Sequence, residues 1–354
     1  MTTSLVYSCF TKFVVSIVHV QIDEDHFETF IREGNKFAPT VHLSVDNIMG
    51  CGSSKVDDSQ TPRKPPSKPV EVKSLKDIGD LANDRSLARI RNEIAALNEG
   101  EVYLSFTGKN IGDKEVRLIA ALLMKKGQGL ESLYLNENNI GPEGAAYISE
   151  LLKDHPTITE LDLEQNCLGA DGVAYIGEML AKNKTLLKLD LTNNKIGDWG
   201  AQSLGQGLIT NSSLEKLEVD DNGISDAGVE GLMKFHENDT SQLTIMVLSS
   251  NAIGPRGTKA IAKGLATNPQ LRDLYLSNNK IDDEAAKVLA NALAENNTNL
   301  LHLDIEDNAM TENGVKGFDD IMKNSSNKYL DYAAKVSGRR LSRITSRFTA
   351  NVEQ

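Results

Sequence analysis

The side chains that could do chemistry are present in this chain, but few of them stand at the spacings that chemistry requires. The six histidines include no pair at metal-ligand spacing and none beside a nucleophile motif. The three cysteines, Cys9, Cys51 and Cys167, are too few for a disulfide framework and show no paired metal spacing, which favours an intracellular protein. The recurring glycines do not form a phosphate-binding string. We therefore expect no catalytic residue, no metal and no cofactor, and predict that the chain is not an enzyme.

The clearest chemical signal is the string Met-Gly-Cys-Gly-Ser-Ser-Lys at residues 49–55. At a new N-terminus such a string directs N-myristoylation of its glycine, here Gly50, and Cys51 beside it is a candidate for palmitoylation. Two acyl chains anchor a protein stably, whereas one gives marginal binding. Because 48 residues precede the string, two explanations stay open. Translation begins at Met49, which we favour, or the extension is real and the match is accidental.

The elements that would position any site come from an internal repeat of the form L-x-x-L-x-L-x-x-N-x-I. Its copies start 28 or 29 residues apart, at Glu101 (a degenerate copy), Leu130, Ile158, Leu186, Leu214, Leu243, Leu271 and Leu300. The first half of each copy alternates apolar and polar residues, which predicts a strand. The second half has apolar residues three and four apart, such as Ala201, Leu204 and Leu208, which predicts a helix. One such unit cannot bury its apolar face alone, so the copies must stack.

The repeat resembles leucine-rich repeats of the long, 28–29-residue class, as in ribonuclease inhibitor and the Ran GTPase-activating proteins. The resemblance covers residues 101–322 and implies an α/β solenoid, a horseshoe of about eight strand–helix repeats with helical caps. In that family the repeated asparagine bonds backbone groups at the turn after the strand and forms a ladder. The resemblance assigns this structural role to Asn138, Asn166, Asn194, Asn222, Asn251, Asn279 and Asn308. The first copy has Lys109 at this position, so we expect the ladder to stop there.

Composition divides the remainder of the chain. We interpret residues 1–48 as an extension of doubtful reality without a domain, and residues 49–73 as the acylation-like string with a disordered Pro/Lys linker. Residues 74–100 carry apolar residues at helical spacing and are predicted to form an N-terminal cap. The repeats occupy 101–322, and a C-terminal cap with a basic tail follows at 323–354.

The tail combines bases with apolar residues at helical spacing, Leu341, Ile344 and Phe348. A basic amphipathic helix of this kind binds an anionic membrane or enters a partner groove, and a frayed basic tail is the alternative. The string Arg-Arg-Leu-Ser makes Ser342 a possible phosphorylation site. A phosphate there would weaken attraction to a membrane.

The variable positions of the strand halves point away from the core, onto the concave face of the solenoid. They hold 14 acidic residues and three basic ones, together with two tyrosines. Such a strip predicts a protein partner with a basic surface, since aromatic anchors supply affinity and charge supplies association rate. The alternative is a solvated face that only aids solubility. The candidate partner-binding residues are Tyr134, Glu137, Asp162, Glu164, Asp190, Glu218, Asp220, Asp221, Tyr275, Asp304 and Glu306.

These patterns together favour a non-catalytic interaction scaffold or adaptor. The net charge of −12 argues against a nucleic-acid partner. We expect a monomeric, cytoplasmic protein, held at the inner face of a membrane by acyl chains and the basic tail. The resemblance leaves other functions open: a small-GTPase regulator like the Ran GTPase-activating proteins, an inhibitor of a basic protein, or an actin regulator resembling tropomodulin. The first lacks the acidic C-terminal tail typical of that family, and the second lacks the many cysteines of ribonuclease inhibitor.

Overall fold

Most strands of the repeat region form where one buried leucine stands between two polar positions. The computed structural model describes residues 5–7, 18–20, 74–76, 78–98, 100–127, 129–237, 239–267, 270–295, 299–325, 327 and 330–334. Within them, Leu133, Leu161 and Leu189 occupy the middle of their strands and are buried. Each of these strands is three residues long and places its middle side chain in the core. They are β3 (Tyr103–Ser105), β4 (Ser132–Tyr134), β5 (Glu160–Asp162), β6 (Lys188–Asp190), β7 (Lys216–Glu218), β8 (Ile245–Val247), β9 (Asp273–Tyr275), β10 (His302–Asp304) and β11 (Asp331–Ala333).

These strands make one parallel sheet of nine, in sequence order from β3 to β11. Each residue pairs with its equivalent one repeat away, for example Leu161 with Leu189. Because every pairing is parallel and in register, equivalent positions of successive repeats line up across the sheet. A helix returns the chain between neighbouring strands, as parallel pairing requires. The fold predicted from the repeat, a leucine-rich repeat solenoid, is confirmed.

The helices carry the apolar stripes on their inner side. Ala201, Leu204 and Leu208 are all buried, together with the strand leucines, in a single core that runs the length of the array. The repeat helices are α3 (Asp113–Lys126), α4 (Pro142–Leu152), α5 (Gly169–Leu180), α6 (Gly197–Leu208), α7 (Asp226–Leu232), α8 (Pro255–Thr267), α9 (Asp283–Glu295) and α10 (Glu312–Lys323).

Both ends of the array are covered. Before the first repeat, α1 (Gly79–Ala82), a 3₁₀ turn (Arg85–Leu87) and α2 (Ala88–Ala95) bury Leu81, Leu87 and Ile90 in the core. After the last repeat, the described cap is the strand β11 and not the helix expected from the sequence, and Leu330 just before it is buried. Terminal repeats of a solenoid need such covers because they would otherwise expose the core.

The chain divides into two units, Met1–Ile48 and Met49–Gln354. In the first unit the structure describes an antiparallel pair, β1 (Leu5–Tyr7) with β2 (Val18–Val20). The second unit contains the repeats and both caps. The acylation-like string begins at the first residue of that second unit, and the linker that follows it lies outside the described residues up to residue 73.

Candidate functional site

The strand register arranges the variable side chains in rows across the sheet. Each strand has one variable residue before its buried middle residue and one after it. The residues before it form what we call the leading row: Tyr103, Ser132, Glu160, Lys188, Lys216, Ile245, Asp273, His302 and Asp331. The residues after it form the central row: Ser105, Tyr134, Asp162, Asp190, Glu218, Val247, Tyr275, Asp304 and Ala333. Neighbouring members of a row are about 4.8 Å apart along the sheet.

Five carboxylates gather at the middle of the concave face, and we call them the acidic block. Asp162, Asp190 and Glu218 are consecutive in the central row, and Glu164 and Asp220 follow their strands by two residues. Oxygen atoms of Asp162, Glu164 and Asp190 all lie within 4.8 Å of one another. All five residues are half-buried. Carboxylate oxygens at such spacing are donors that a hard cation accepts, but this spacing also follows simply from three acids on neighbouring strands.

Burial and mutual repulsion change the acidity of the block. Desolvation raises the pKa of Asp162 to about 6, and the charges of Asp190 and Glu164 push in the same direction. Desolvation raises the pKa of Asp220 to about 6 as well, with Glu218 and Asp190 adding to the shift. The pKa of Glu164 is raised for the same reasons. The carboxylates of the block therefore repel one another, and a cation placed against them would relieve this repulsion.

The members of the block differ in what else they do. Asp162 Oδ1 accepts a hydrogen bond from the backbone N–H of Glu164 at 2.9 Å, and Asp190 accepts one from Thr192 at 2.8 Å. These two aspartates thus also hold the turn after their strands. Glu164 accepts a hydrogen bond from the side chain of Gln165 instead. Glu164 and Glu218 are therefore the members that can be changed without removing a backbone hydrogen bond seen in the described residues.

Two lysines of the leading row partly neutralise the acids. Lys216 Nζ lies 2.7 Å from Glu218 Oε2, and Lys188 Nζ lies 4.0 Å from Glu160 Oε1. The acidic strip of the sequence is therefore a mixed surface in its leading row and remains acidic in its central row. The contact of Lys188 with Glu160 joins neighbouring strands and depends on their register, whereas Lys216 and Glu218 stand two residues apart on one strand.

An apolar surface adjoins the acidic block, and we call it the apolar step. It consists of Ile245 and Val247 on β8 and Tyr275 on β9, the next two strands after β7. Ile245 and Val247 are half-buried, and Tyr275 is 36% exposed. The sequence reasoning named only Tyr275, although the sixth copy already shows Ile and Val at variable positions. It also missed Tyr103 in the leading row, which is 64% exposed.

The other candidate binding residues are not members of the block, although Tyr134 stands directly beside Asp162 in the central row. Tyr134 is half-buried and donates its hydroxyl to Glu160 Oε2 at 3.3 Å. Glu137 and Asp221 have left-handed backbones, with φ of 58° and 48°, in the turns that follow the strands, so they belong to the rim rather than to the rows. Asp304 accepts the backbone N–H of Glu306 at 2.9 Å on β10, three strands beyond Glu218.

The repeated asparagines bond backbone groups of two neighbouring repeats. Asn194, with no exposed surface, donates from Nδ2 to the carbonyl oxygens of Leu163 at 2.8 Å and Leu191 at 3.1 Å. Its Oδ1 accepts the N–H of Leu168 at 3.4 Å. In the first copy, where Lys109 replaces asparagine, the backbone N–H of Lys109 itself donates to Asn138 at 3.1 Å. The ladder therefore ties each turn to the one before it.

A second ladder, of aspartates, was missed by the sequence reasoning. Asp198 at the start of α6 accepts hydrogen bonds from the backbone N–H groups of Ser225 at 2.7 Å and Gly228 at 3.0 Å, at the start of the next helix. A Cβ at Gly228 would lie 2.6 Å from Asp198 Oδ1, so the glycine allows this approach. The recurring glycines thus serve close packing between successive repeats at the helix starts. Asp113, Asp226 and Asp283 make the equivalent bonds.

The predicted lipidation residues Gly50 and Cys51 and the predicted phosphorylation residue Ser342 lie outside the described residues. Among the helices that the structure describes, none has the length and apolar content needed to span a membrane. The acylation and phosphorylation predictions stay predictions.

Comparisons with known proteins agree with the repeat. Six segments, residues 130–149, 154–177, 182–205, 210–233, 267–290 and 296–318, match the family described as Leucine Rich repeat. No curated protein matches the chain.

Three solved structures illustrate the similar folds. Actin-binding site 2 of leiomodin-1 is 23% identical over 38% of this chain and 76% of its own, with a TM-score of 0.33. An internalin from Listeria monocytogenes is 16% identical over 72% of this chain and 95% of its own, with a TM-score of 0.32. The tropomodulin C-terminal domain from Caenorhabditis elegans is 17% identical over 52% of this chain and 93% of its own, with a TM-score of 0.33. At these scores none of the three indicates what this chain binds.

Proposed function

The chain is a leucine-rich repeat protein, and we propose that it is a non-catalytic scaffold whose concave face binds a partner protein with a basic surface. The observation that supports the proposal is the acidic block, five half-buried carboxylates on three neighbouring strands. Concentrating like charge at the middle of a sheet destabilises the free protein, and a basic partner relieves the repulsion. A face that served only solubility would gain nothing from concentrating the charge, since dispersed charge keeps a protein soluble equally well.

The leading row adds specificity to this surface. Lys188 and Lys216 border the acidic block on one side, and the apolar step borders it at the next two strands. A partner must therefore present its positive charge to the central row and an apolar side chain beside it. The two lysines would repel a partner whose surface is basic throughout, so the pattern of charges discriminates among basic proteins.

Affinity capture with matched charge variants tests the proposal. In the face variant, Glu164→Lys with Glu218→Lys, two charges of the acidic block are reversed without removing a backbone hydrogen bond. In the control, Glu178→Lys with Glu295→Lys, the same charge change is made at exposed positions of α5 and α9. Proteins captured by the native chain and the control but lost from the face variant should be basic, and their capture should weaken in raised salt. Retention of the same proteins by both variants would show that the concave face is not the binding surface.

The membrane tether is the second part of the proposal. Myristoylation of Gly50 and palmitoylation of Cys51 would place the scaffold at the inner face of a membrane, provided that translation begins at Met49. The support is the sequence string alone. Mass spectrometry of the N-terminal peptide from native cells tests it. A myristoylated peptide that begins at Gly50 is the expected result, and an N-terminal peptide from residues 1–48 would overturn it.

A further inference from the structure

The chain itself contains a segment whose chemistry matches the concave face. Residues 335–350, which lie outside the described residues, include Arg339, Arg340, Arg343 and Arg347. Leu341, Ile344 and Phe348 stand among these arginines at spacings of three and four. The acidic block and the apolar step present the complementary pair of chemistries, side by side in the same rows. Charge and apolar pattern therefore agree between the segment and the surface.

The point where the described chain ends favours this match. Ala333 is the last member of the central row, because β11 pairs with β10 at that edge of the sheet. The chain thus leaves the sheet at the end of the row that carries Asp162, Asp190 and Glu218. Four strand spacings separate Ala333 from Glu218, or about 19 Å at 4.7–4.9 Å per strand.

The linker length is sufficient to cover that distance. Arg339 follows Ala333 by six residues, which span up to about 20 Å when extended. Arg343 and Arg347 are further along the chain and reach Asp190 and Asp162 with length to spare. No part of the repeat array has to move for these contacts to form.

We propose that residues 335–350 dock on the concave face of their own chain, with arginines on the acidic block and apolar residues on the apolar step, and exclude other basic ligands. This inference rests on the proposed function, in that it takes the concave face to be a binding surface. A tethered segment reaches an effective concentration in the millimolar range. Even a weak contact would then be occupied in most molecules. An external partner would have to displace the segment, so the tail would set the threshold for binding.

A fluorescent peptide of residues 336–350 and the full-length chain provide the test. The first comparison uses the native chain and a tail variant in which Arg339, Arg340, Arg343 and Arg347 are changed to Glu. The docked tail of the native chain should block the peptide. We expect the tail variant to bind the peptide at least about tenfold more tightly than the native chain. These substitutions lie beyond the described core, and circular dichroism checks that the fold is unchanged.

The second comparison locates the binding surface. Adding Glu164→Lys and Glu218→Lys to the tail variant should weaken peptide binding at least about tenfold. Adding Glu178→Lys and Glu295→Lys should leave it unchanged, since these residues are on the helical side of the array. Equal loss in both would mean that net charge alone attracts the peptide, and this would overturn the proposal.

Further outcomes separate this inference from others. Equal peptide affinity for the native chain and the tail variant would overturn docking within the chain. A peptide that binds phosphatidylserine vesicles but not the tail variant would also overturn it and assign the segment to a membrane. If captured partners depend on the acidic block while the peptide does not bind, only this inference fails. If the peptide binds but no partner depends on the block, the proposed function fails and the docking stands.

Discussion

At the scale of single residues, Asp220 shows what the concentration of charge costs. Its Oδ1 is buried and has no hydrogen-bond partner among the described residues, and burial raises its pKa to about 6. A carboxyl whose pKa is higher in the folded than in the unfolded state stabilises the fold fully below pH 4 or so, and this contribution is lost as the pH rises through about 6. At neutral pH the charged form therefore destabilises the native state.

Replacing Asp220 by Asn removes the charge while keeping the shape. We expect Asp220→Asn to raise the free energy of unfolding at pH 7.5 by on the order of 1 kcal/mol, once solvent screening is allowed for. At pH 4.5 the difference between the two proteins should be much smaller, because the native carboxyl is then largely protonated. Denaturant titrations at the two pH values measure it. Exposed Asp221, changed to Asn, is the control for the substitution itself. An equal effect of Asp220→Asn at both pH values would contradict the explanation.

Burial shifts the pKa of His155 downwards, in the direction opposite to that of Asp220. It is buried, and its Nδ1 accepts the backbone N–H of Ile158 at 3.3 Å, while its Nε2 has no partner among the described residues. The equivalent residue of the next repeat, Asn183, accepts from Leu186 at 2.8 Å and also donates to Leu152 at 2.6 Å. Burial lowers the pKa of His155. Its contribution is therefore fully present above its ordinary pKa of about 6.5 and is lost as the pH falls.

We expect His155→Asn to stabilise the fold by about 1 kcal/mol at pH 7.5. The amide nitrogen of an asparagine can donate to a backbone carbonyl of the preceding repeat, as Asn183 does to Leu152, whereas Nε2 of His155 makes no hydrogen bond within the described part of the chain. The gain should grow at pH 5.5, where charging the buried imidazole costs further free energy. Thermal unfolding at both pH values measures the effect. Exposed His302, changed to Asn, serves as the control. A loss of stability at both pH values would show that the ring packing outweighs the missing hydrogen bond.

At the scale of the elements, the aspartates at the helix starts hold successive repeats together. Asp198 accepts two backbone N–H groups of the following repeat and the hydroxyl of Ser225 at 2.7 Å. We expect Asp198→Ala to lower the free energy of unfolding by about 2–3 kcal/mol, since it leaves half-buried donors unpaired. Asp171, in the first turn of α5 but exposed, is the matched control and should change it by less than about 1 kcal/mol. Equal effects in a denaturant titration would assign the loss to the helix dipole instead.

The elements were also the part of the fold that the sequence predicted best. Strand and helix follow from patterns within one copy, such as Leu189 between two polar residues and the stripe of Ala201, Leu204 and Leu208. The Asp198 contacts join residues 27 and 30 positions apart, and in the sequence this aspartate looks like an ordinary helix-start residue. The pairing of Lys188 with Glu160 and the position of Val247 beside Glu218 depend on the register between strands. These features depend on how the repeats stack, and no single copy of the repeat contains them.

At the scale of the whole repeat array, each repeat contacts only its neighbours, so stability should vary along the stack. Opening free energies in such arrays are lowest at the ends and highest in the middle. The C-terminal end depends on Tyr332 of β11. Its ring centroid lies 5.2 Å from that of Phe318, and its hydroxyl donates to Asp319 at 2.9 Å. These contacts join the last strand to α10 and cover the core at that edge.

Tyr332→Ala should therefore loosen one end of the array without unfolding the rest. Losing a half-buried ring and its hydrogen bond removes about 2 kcal/mol locally, which corresponds to a rise of roughly thirtyfold in amide hydrogen exchange on β10 and α10. Exchange on β5 and β6 should remain as in the native chain, because at least four strands lie between them and β11. Tyr103→Ala, at an exposed position of β3, is the control and should leave β10 unchanged. A uniform rise in exchange along the whole sheet would show that the repeats unfold as one cooperative unit.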